Sequence, residues 1–431
     1  MTTRRKTWMG VGLFAIAGTA IPTATQTALA SSDAAIVKAG AAAKLAPLMF
    51  AQAGGEQGGE GGMAAPESYA LPGVTPPAYD AKAEIAAYAA GVRASYVASV
   101  ENAKTMSAAI DALLANPTVE TLAAARKAWT AARPSYLVTE SYRFYDGPIE
   151  DVEGEINSWP MNEAFIDYVV GNDKAGIIND PSKDITVASL IVDNQATDES
   201  DVTLGWHAIE FLLWGQDLSA TGPGDRPVSD YIAGQGNNDR RRTYLKIVTA
   251  RMIADIQRVA DAWAPGVADN YAATFQALPQ VEAIGRILNG IGVLAGSELM
   301  SERMAVGLDS GDQEDEHSCF SDTTHQDFVY DVKGVENVWT GKFPGAEGPG
   351  MRDLVAKVDP ASAKEVDGLL ADATTKIAAT GDPWDQVLAA APDTQARKDA
   401  EAAVASLGAL ADGIKRAAAK LGVLVQIPTG G

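Results

Sequence analysis

Hydrophobic positions recur along most of the chain at the spacing of α-helices. In the first half, this periodicity predicts helices over residues 81–114 and 119–144, the second bent near Pro134. The segment NPT breaks the pattern between them. An irregular stretch, 147–163, and a further helix around 164–170 follow. Strand patterns are scarce, so the sequence predicts an all-α protein.

The second half repeats this helical character after a segment rich in turn-forming residues, 219–231. The predicted helices there span residues 238–265, 274–308, 360–379 and 393–422. We therefore predict two tandem helical-bundle domains, 81–220 and 221–431. A weak internal repeat supports this: IEFLLWG at 209–215 and VENVWTG at 335–341 share a glutamate, a tryptophan and a final glycine.

The N-terminus has the pattern of an export signal. Residues 1–30 combine a basic start, a short apolar core and an ALA cleavage site. Arg4 and Arg5 leave both ordinary and twin-arginine export open. Residues 31–80 are rich in Ala, Gly and Pro and are expected to be a flexible tether. The apolar core is too short for a membrane span, and we expect no transmembrane helix in the mature chain.

The amino-acid composition and charge exclude some classes of partner and of binding site. The 431 residues are 47% hydrophobic, typical of a globular chain, and carry a formal charge of −22. That charge disfavours nucleic acid as a partner. Cys319 is the sole cysteine, so an internal disulfide and an all-cysteine metal site are excluded.

The segment GWHAIEFLLWG, 205–215, places a histidine and a glutamate in an almost wholly apolar helix. His207 and Glu210 are three positions apart and share one helical face. A buried, unpaired carboxylate is costly, so Glu210 requires a metal ion, an arginine or hydrogen bonds. The spacing alone leaves a metal site and a His–Glu pair satisfied by other side chains both open.

Other candidate residues stand where long helices meet loops. They include His317, in an acidic segment that also contains His325. The remaining candidates for a second-half or interface site are Glu298, Glu302, Arg303, Glu140 and Arg143. They could complete a site or form structural ion pairs. The motifs HExxH and GxSxG are absent, which excludes a standard zincin protease and a nucleophile elbow.

The GWHAIE segment resembles the GxHxxE signature of the imelysin family, whose members are also called insulin-cleaving metallopeptidase-like or iron-regulated proteins. Three further segments look like parts of that family: RPSYLVTESYRFYDGPIE, EINSWPMNEAFIDYV and the stretch from SELMSERM through DQEDEHSCFSD. The resemblance covers roughly residues 80–425 and puts His207 and Glu210 at the signature positions.

The resemblance implies two four-helix-bundle-like domains related by an internal repeat, with a functional site between them. It also implies export to the periplasm or outer membrane and a link to iron supply. We therefore expect an envelope protein that binds a metal ion, iron or zinc first, and that cooperates with other iron-uptake components. Mixed imidazole and carboxylate donors also suit manganese. A zinc metallopeptidase using His207 and Glu210 and a non-catalytic structural or interaction protein are the alternatives.

Overall fold

The computed structural model describes residues 68–219 and 221–428. The predicted signal peptide, 1–30, and most of the predicted tether lie outside the described residues. Near the end of that tether, Tyr69 is fully buried. The division of the chain into two tandem domains stays a prediction.

The described chain is mostly helical, as predicted, with one small β-hairpin formed by antiparallel strands β1 (Lys342–Phe343) and β2 (Ala346–Glu347). The α-helices are α1 Lys82–Ala115, α2 Val119–Leu137, α3 Glu153–Ile156, α4 Glu163–Ile166, α5 Gly176–Asn179, α6 Val187–Asp193, α7 Gly205–Trp214, α8 Asn238–Ala262, α9 Tyr271–Ala277, α10 Gln280–Val293, α11 Val306–Ser310, α12 Thr324–Thr340, α13 Met351–Val358, α14 Pro360–Ala378, α15 Trp384–Leu388 and α16 Gln395–Lys420. A π-helix, Leu294–Ala305, joins α10 to α11.

Two of the predicted helices differ from the structure. The helix predicted over 119–144 ends at Leu137, beyond Pro134, and a single 3₁₀ turn, Glu140–Tyr142, follows. The helix predicted over 274–308 is interrupted at Pro279, which has no N–H to continue a helix, and it changes to π-helical winding at Leu294. Both differences concern residues next to the candidate site.

Helices α1, α2, α7 and α8 pack together. Apolar side chains on α1 recur at helical spacing and are buried, from Ile85 through Val92 and Tyr96 to Ile110. A Cβ at Gly91 would lie 2.2 Å from the ring of Phe343, so glycine lets the hairpin approach α1. A second group comprises α10 with the π-helix, α12, α13, α14 and α16.

Helix α12 also packs on α2, so it connects the two groups. The two segments of the weak internal repeat, 209–215 and 335–341, contain the C-terminal ends of α7 and α12, respectively. Each of these helices stops at a glycine with positive φ, 74° at Gly215 and 72° at Gly341. A left-handed C-terminal residue favours glycine, which gives a structural reason for the final glycine of each segment. None of the described helices is both long and apolar enough to cross a bilayer.

Candidate functional site

Helix α7 is buried along its whole length, as the apolar segment predicts. Its first residue, Gly205, has φ 87°, and a Cβ there would lie 2.3 Å from the carbonyl oxygen of Ile156. Glycine is therefore required where the chain around Ile156 crosses the start of the helix. This contact fixes α7, and with it His207 and Glu210, in the protein interior.

His207 and Glu210 lie side by side, as the spacing predicts. His207 Nδ1 is 2.9 Å from Glu210 Oε2, and Glu210 Oε1 accepts hydrogen bonds from the backbone N (3.0 Å) and the hydroxyl (2.6 Å) of Ser321. Burial raises the pKa of Glu210 to about 8 against the opposing effect of Ser321. Burial, followed by the charge of Arg133, lowers the pKa of His207 well below its usual value. The carboxylate of Glu210 thus depends on neighbouring donors.

Arg133, on α2, provides the positive charge at this centre. Its guanidinium donates to Asn157 Oδ1 (2.6 Å) and to Asp327 Oδ2 (3.0 Å), and its Nη2 lies 3.3 Å from His207 Nε2. A guanidinium can only donate, so His207 Nε2 accepts and Nδ1–H donates to Glu210. Both ring nitrogens of His207 are therefore engaged by protein groups.

The rings of two tryptophans lie against this guanidinium. The centroids of Trp129 and Trp206 are each 5.7 Å from the central carbon of Arg133. Cation–π attraction is stronger in a desolvated place such as this one, where all three side chains are fully buried. The apolar surroundings of α7 therefore hold an arginine in place.

His317 lies beside His207, with ring centroids 4.8 Å apart. Its Nδ1 is 2.8 Å from Asp327 Oδ2, and burial followed by the charges of Arg303 and Arg133 lowers the pKa of His317. The ring is therefore neutral near pH 7. Arg133 Nη2 also lies 3.5 Å from Nδ1, but the carboxylate of Asp327 is closer and accepts Nδ1–H, so Nε2 keeps its lone pair. Among the described residues, no hydrogen-bond partner reaches this buried Nε2.

A second buried group, here called the arginine network, consists of Glu140, Arg143, Glu298, Arg303 and Asp331. Arg303 donates to Glu140 (2.5 Å), Glu298 (2.8 Å) and Asp331 (2.9 Å), and Arg143 donates to Glu140 (2.7 Å). Burial alone would raise the pKa of Glu140, but Arg143 and Arg303 outweigh it and lower the pKa to about 2. Four of the sequence-predicted interface residues, Glu140, Arg143, Glu298 and Arg303, thus belong to one charge-paired group.

The π-helix builds part of this network. Its wider turn, with i→i+5 hydrogen bonding, brings residues five apart into register, and Glu298 and Arg303 are in direct contact. The sequence places Glu298 and Glu302 four apart on one α-helical face. In the π-helix Glu298 is buried and Glu302 is exposed, yet both line the same pocket.

That pocket has a volume of about 460 Å³ and adjoins both the histidine pair and the arginine network. Its lining includes six candidate or neighbouring polar side chains, Arg143, Glu298, Glu302, Arg303, Asp315 and His317. Trp159, whose ring centroid is 4.9 Å from that of His207, forms part of the wall. The pocket therefore joins sequence-predicted residues of both halves of the chain.

The predicted site residues thus converge, although in a different arrangement from a direct His207–Glu210 metal centre. Within residues 68–219 and 221–428, no three His, Cys, Asp or Glu side chains are arranged to hold a metal ion by themselves. His207 and Glu210 present donor atoms already engaged by Arg133 and Ser321. His325 lies apart, with Nε2 3.2 Å from the carbonyl oxygen of Ile377.

Sequence reasoning missed Arg133, Asp327 and Asp331. Their signal was present in the pattern, since Arg133 follows AWTAA on α2, and Asp327 and Asp331 are four apart on the buried face of α12. Charged residues at buried helical positions indicate an internal network. Only the fold, however, shows which of these charges meet.

Comparisons with known proteins agree with this architecture. The model of a family described as Imelysin matches residues 92–414. Iron-regulated protein A of Synechococcus elongatus is 25% identical over 323 residues, which span 73% of this chain and 79% of that protein.

Two solved structures share the fold. An iron-regulated protein A precursor from Parabacteroides distasonis aligns with a TM-score of 0.65 at 19% identity, covering 82% of this chain and 98% of that one. An imelysin-like protein from Psychrobacter arcticum aligns with a TM-score of 0.55 at 14% identity, covering 82% of this chain and 100% of that one.

Proposed function

The chain belongs to the imelysin family, and from this premise we propose that it is an exported protein of the bacterial cell envelope that binds and hands over iron. The name of its relative from Synechococcus elongatus, iron-regulated protein A, supports the link to iron. The task is binding and transfer, with other envelope iron-uptake components as its partners.

The observation that carries this proposal is the buried Nε2 of His317. It has no partner among the described side chains, and His317 lines the pocket. Asp327 holds the opposite nitrogen, the arrangement that orients metal-binding histidines in proteins. His317 Nε2 is therefore the proposed contact for iron, and Glu298 and Glu302 are carboxylates of the same pocket.

The volume of the pocket indicates whether iron would bind as a bare ion or together with other ligands. About 460 Å³ far exceeds the roughly 10–15 Å³ that a single water molecule needs. A bare ion would leave most of this space unused, and the described side chains do not surround an ion on their own. We propose that iron enters with other ligands, water or a small chelator, and exchanges one of them for His317.

In this proposal, His207 and Glu210 support the site. Glu210 fixes the tautomer of His207, and His207 packs against the ring of His317. Direct ligation of iron by His207 would require Arg133 to leave its position 3.3 Å from Nε2. No specific observation favours the zinc-peptidase alternative, since a catalytic zinc usually takes three protein ligands.

A binding measurement tests the proposal. Chelator-treated protein is dialysed against ferrous iron under nitrogen, ferric citrate or zinc, and bound metal is quantified. We expect iron binding by the wild type and a loss of affinity of about tenfold or more in His317→Ala. His325→Ala, a histidine outside the pocket, is the matched control and should bind like the wild type. Absence of iron binding, or equal binding by His317→Ala, would refute the proposal.

A further inference from the structure

A second group of carboxylates lies outside the pocket. Here called the carboxylate cluster, it consists of Asp217, Glu316, Asp322 and Asp385. Asp217 follows α7, Glu316 and Asp322 belong to the loop between α11 and α12, and Asp385 lies in the first turn of α15. Three separate chain segments therefore contribute acids to one place.

Two of these carboxylates, Glu316 and Asp385, are buried without hydrogen-bond compensation, whereas Asp217 accepts hydrogen bonds from Ser219 N and Gln313 Nε2. Glu316 is 0% exposed and Asp385 is 4% exposed. Neither oxygen of Glu316 or Asp385 has a hydrogen-bond partner in the described part of the chain, and the same is true of Asp322 Oδ1. A buried charge without a partner is costly, so this place requires something that the described side chains do not supply.

The four side chains lie within electrostatic reach of one another. After burial, the charge of Asp217 acts most strongly on Asp322, and the charges of Asp385, Asp322 and Asp217 act most strongly on Glu316. No lysine, arginine or histidine from residues 68–219 or 221–428 is among the groups that act most strongly on these carboxylates.

We propose that the carboxylate cluster is a binding site for a hard divalent cation, with Ca²⁺ as the best chemical match. The donors are all oxygens, which Ca²⁺ and Mg²⁺ prefer, and the absence of imidazole and thiolate separates this site from a zinc or copper site. Ca²⁺ tolerates irregular geometry and ligands from several loops, whereas Mg²⁺ demands a near-ideal octahedron.

Binding would draw the carboxylates inward. As they stand, the described side chains do not enclose an ion. A cation would neutralise the repulsion among the acids. The unpartnered oxygens of Glu316 and Asp385 are the atoms available to it.

The site would also fix a functional loop. Glu316 directly precedes His317, and Asp322 directly follows Ser321, which donates to Glu210. A cation held by Glu316 and Asp322 would therefore anchor both ends of the segment that carries these groups. This proposal does not depend on iron binding in the pocket.

Thermal unfolding of the purified chain tests this site. After treatment with EDTA, the protein is titrated with CaCl₂ or MgCl₂ at pH 7.5, with ionic strength held constant by KCl. Ligands that bind the folded state raise its stability by mass action, so we expect Tm to rise with Ca²⁺ concentration and more weakly with Mg²⁺. Calorimetric titration gives the affinity independently.

Matched variants test whether Ca²⁺ binds at the carboxylate cluster. Asp385→Asn should weaken Ca²⁺ binding about tenfold or more, whereas Asp309→Asn, an exposed acid of the same acidic region, should respond like the wild type. Glu316→Gln provides a second test if Asp385→Asn does not fold. A Tm unaffected by either cation would overturn the proposal and leave protons as the compensating charge. A wild-type response in both cluster variants would overturn it as well.

Discussion

The arginine network and the carboxylate cluster both bury acids, but only the first contains its own positive charges. Arg303 reaches three carboxylates of the arginine network within 2.9 Å. In the carboxylate cluster neither oxygen of Glu316 or Asp385 has a hydrogen-bond partner, whereas Glu140 and Asp331 each have one oxygen bonded to Arg303 and one without a partner. Burial of acidic side chains alone therefore does not identify a ligand-binding site. What separates a charge-paired core from a binding site is whether the chain supplies the compensating charge.

The largest loss of stability is expected when a positive charge is removed from the arginine network. Arg303→Met leaves Glu140, Glu298 and Asp331 buried with less positive charge, and we expect a loss of about 3–5 kcal/mol in the free energy of unfolding. Chemical denaturation measures it. A loss below about 1 kcal/mol would mean that these carboxylates do not depend on Arg303.

Acid should weaken the arginine network through Glu140. The pKa of Glu140 is lowered to about 2 in the folded protein, against about 4.3 in an unfolded chain. The folded state therefore binds fewer protons, and the stability from this group is present above about pH 4.3 and lost as pH falls towards 2. The size is on the order of 2–3 kcal/mol.

Unfolding free energies at a series of pH values from 5 to 2.5 test this prediction. The wild type should lose more stability over this range than Glu140→Gln, which has no titrating group at that position. Parallel pH profiles for the two proteins would contradict the assigned role of Arg143 and Arg303.

The carboxylate cluster should respond in the opposite direction when a charge is removed. In EDTA, Asp385→Asn reduces repulsion among buried acids, and we expect a gain of about 1–2 kcal/mol. In saturating Ca²⁺ this gain should shrink or reverse, because the variant lacks a ligand. Denaturation in both buffers checks the sign. Destabilisation in EDTA would show that Asp385 is compensated in the folded protein.

The smallest change in stability is expected for an exposed ion pair. Arg416 and Glu365 are 2.7 Å apart, with side chains 52% and 44% exposed. Because water already solvates both groups, Arg416→Met should change stability by about 0–1 kcal/mol. The same denaturation assay then separates the effect of burial from that of charge removal.

The sequence predicted those parts of the molecule that depend on local pattern. Apolar periodicity identified α1, α8, α14 and α16, and the spacing of His207 and Glu210 correctly placed both side chains on one face of a buried helix. These features follow from helical geometry and from hydrophobic burial, which act over neighbouring positions.

The structural features that the sequence did not predict depend on contacts between distant segments of the chain. Arg133 meets Asp327 across 194 positions and His207 across 74, and no periodicity encodes such a meeting. The π-helical winding that joins Glu298 to Arg303 was also missed, because its residues have ordinary helix-forming character. The sequence left a metal ion, an arginine or hydrogen bonds open as compensation for Glu210, and the fold shows hydrogen bonds from Ser321, with Arg133 beside His207.

The most direct test of the proposed function is the position of iron in crystals. Crystals grown from metal-free protein are soaked in ferrous iron under nitrogen, and anomalous difference maps are calculated above and below the iron absorption edge. We predict an iron-specific peak in the pocket next to His317 Nε2, and none in His317→Ala crystals. An iron peak bound instead by His207 and Glu210, with Arg133 displaced, or no peak in the pocket at all, would contradict the account.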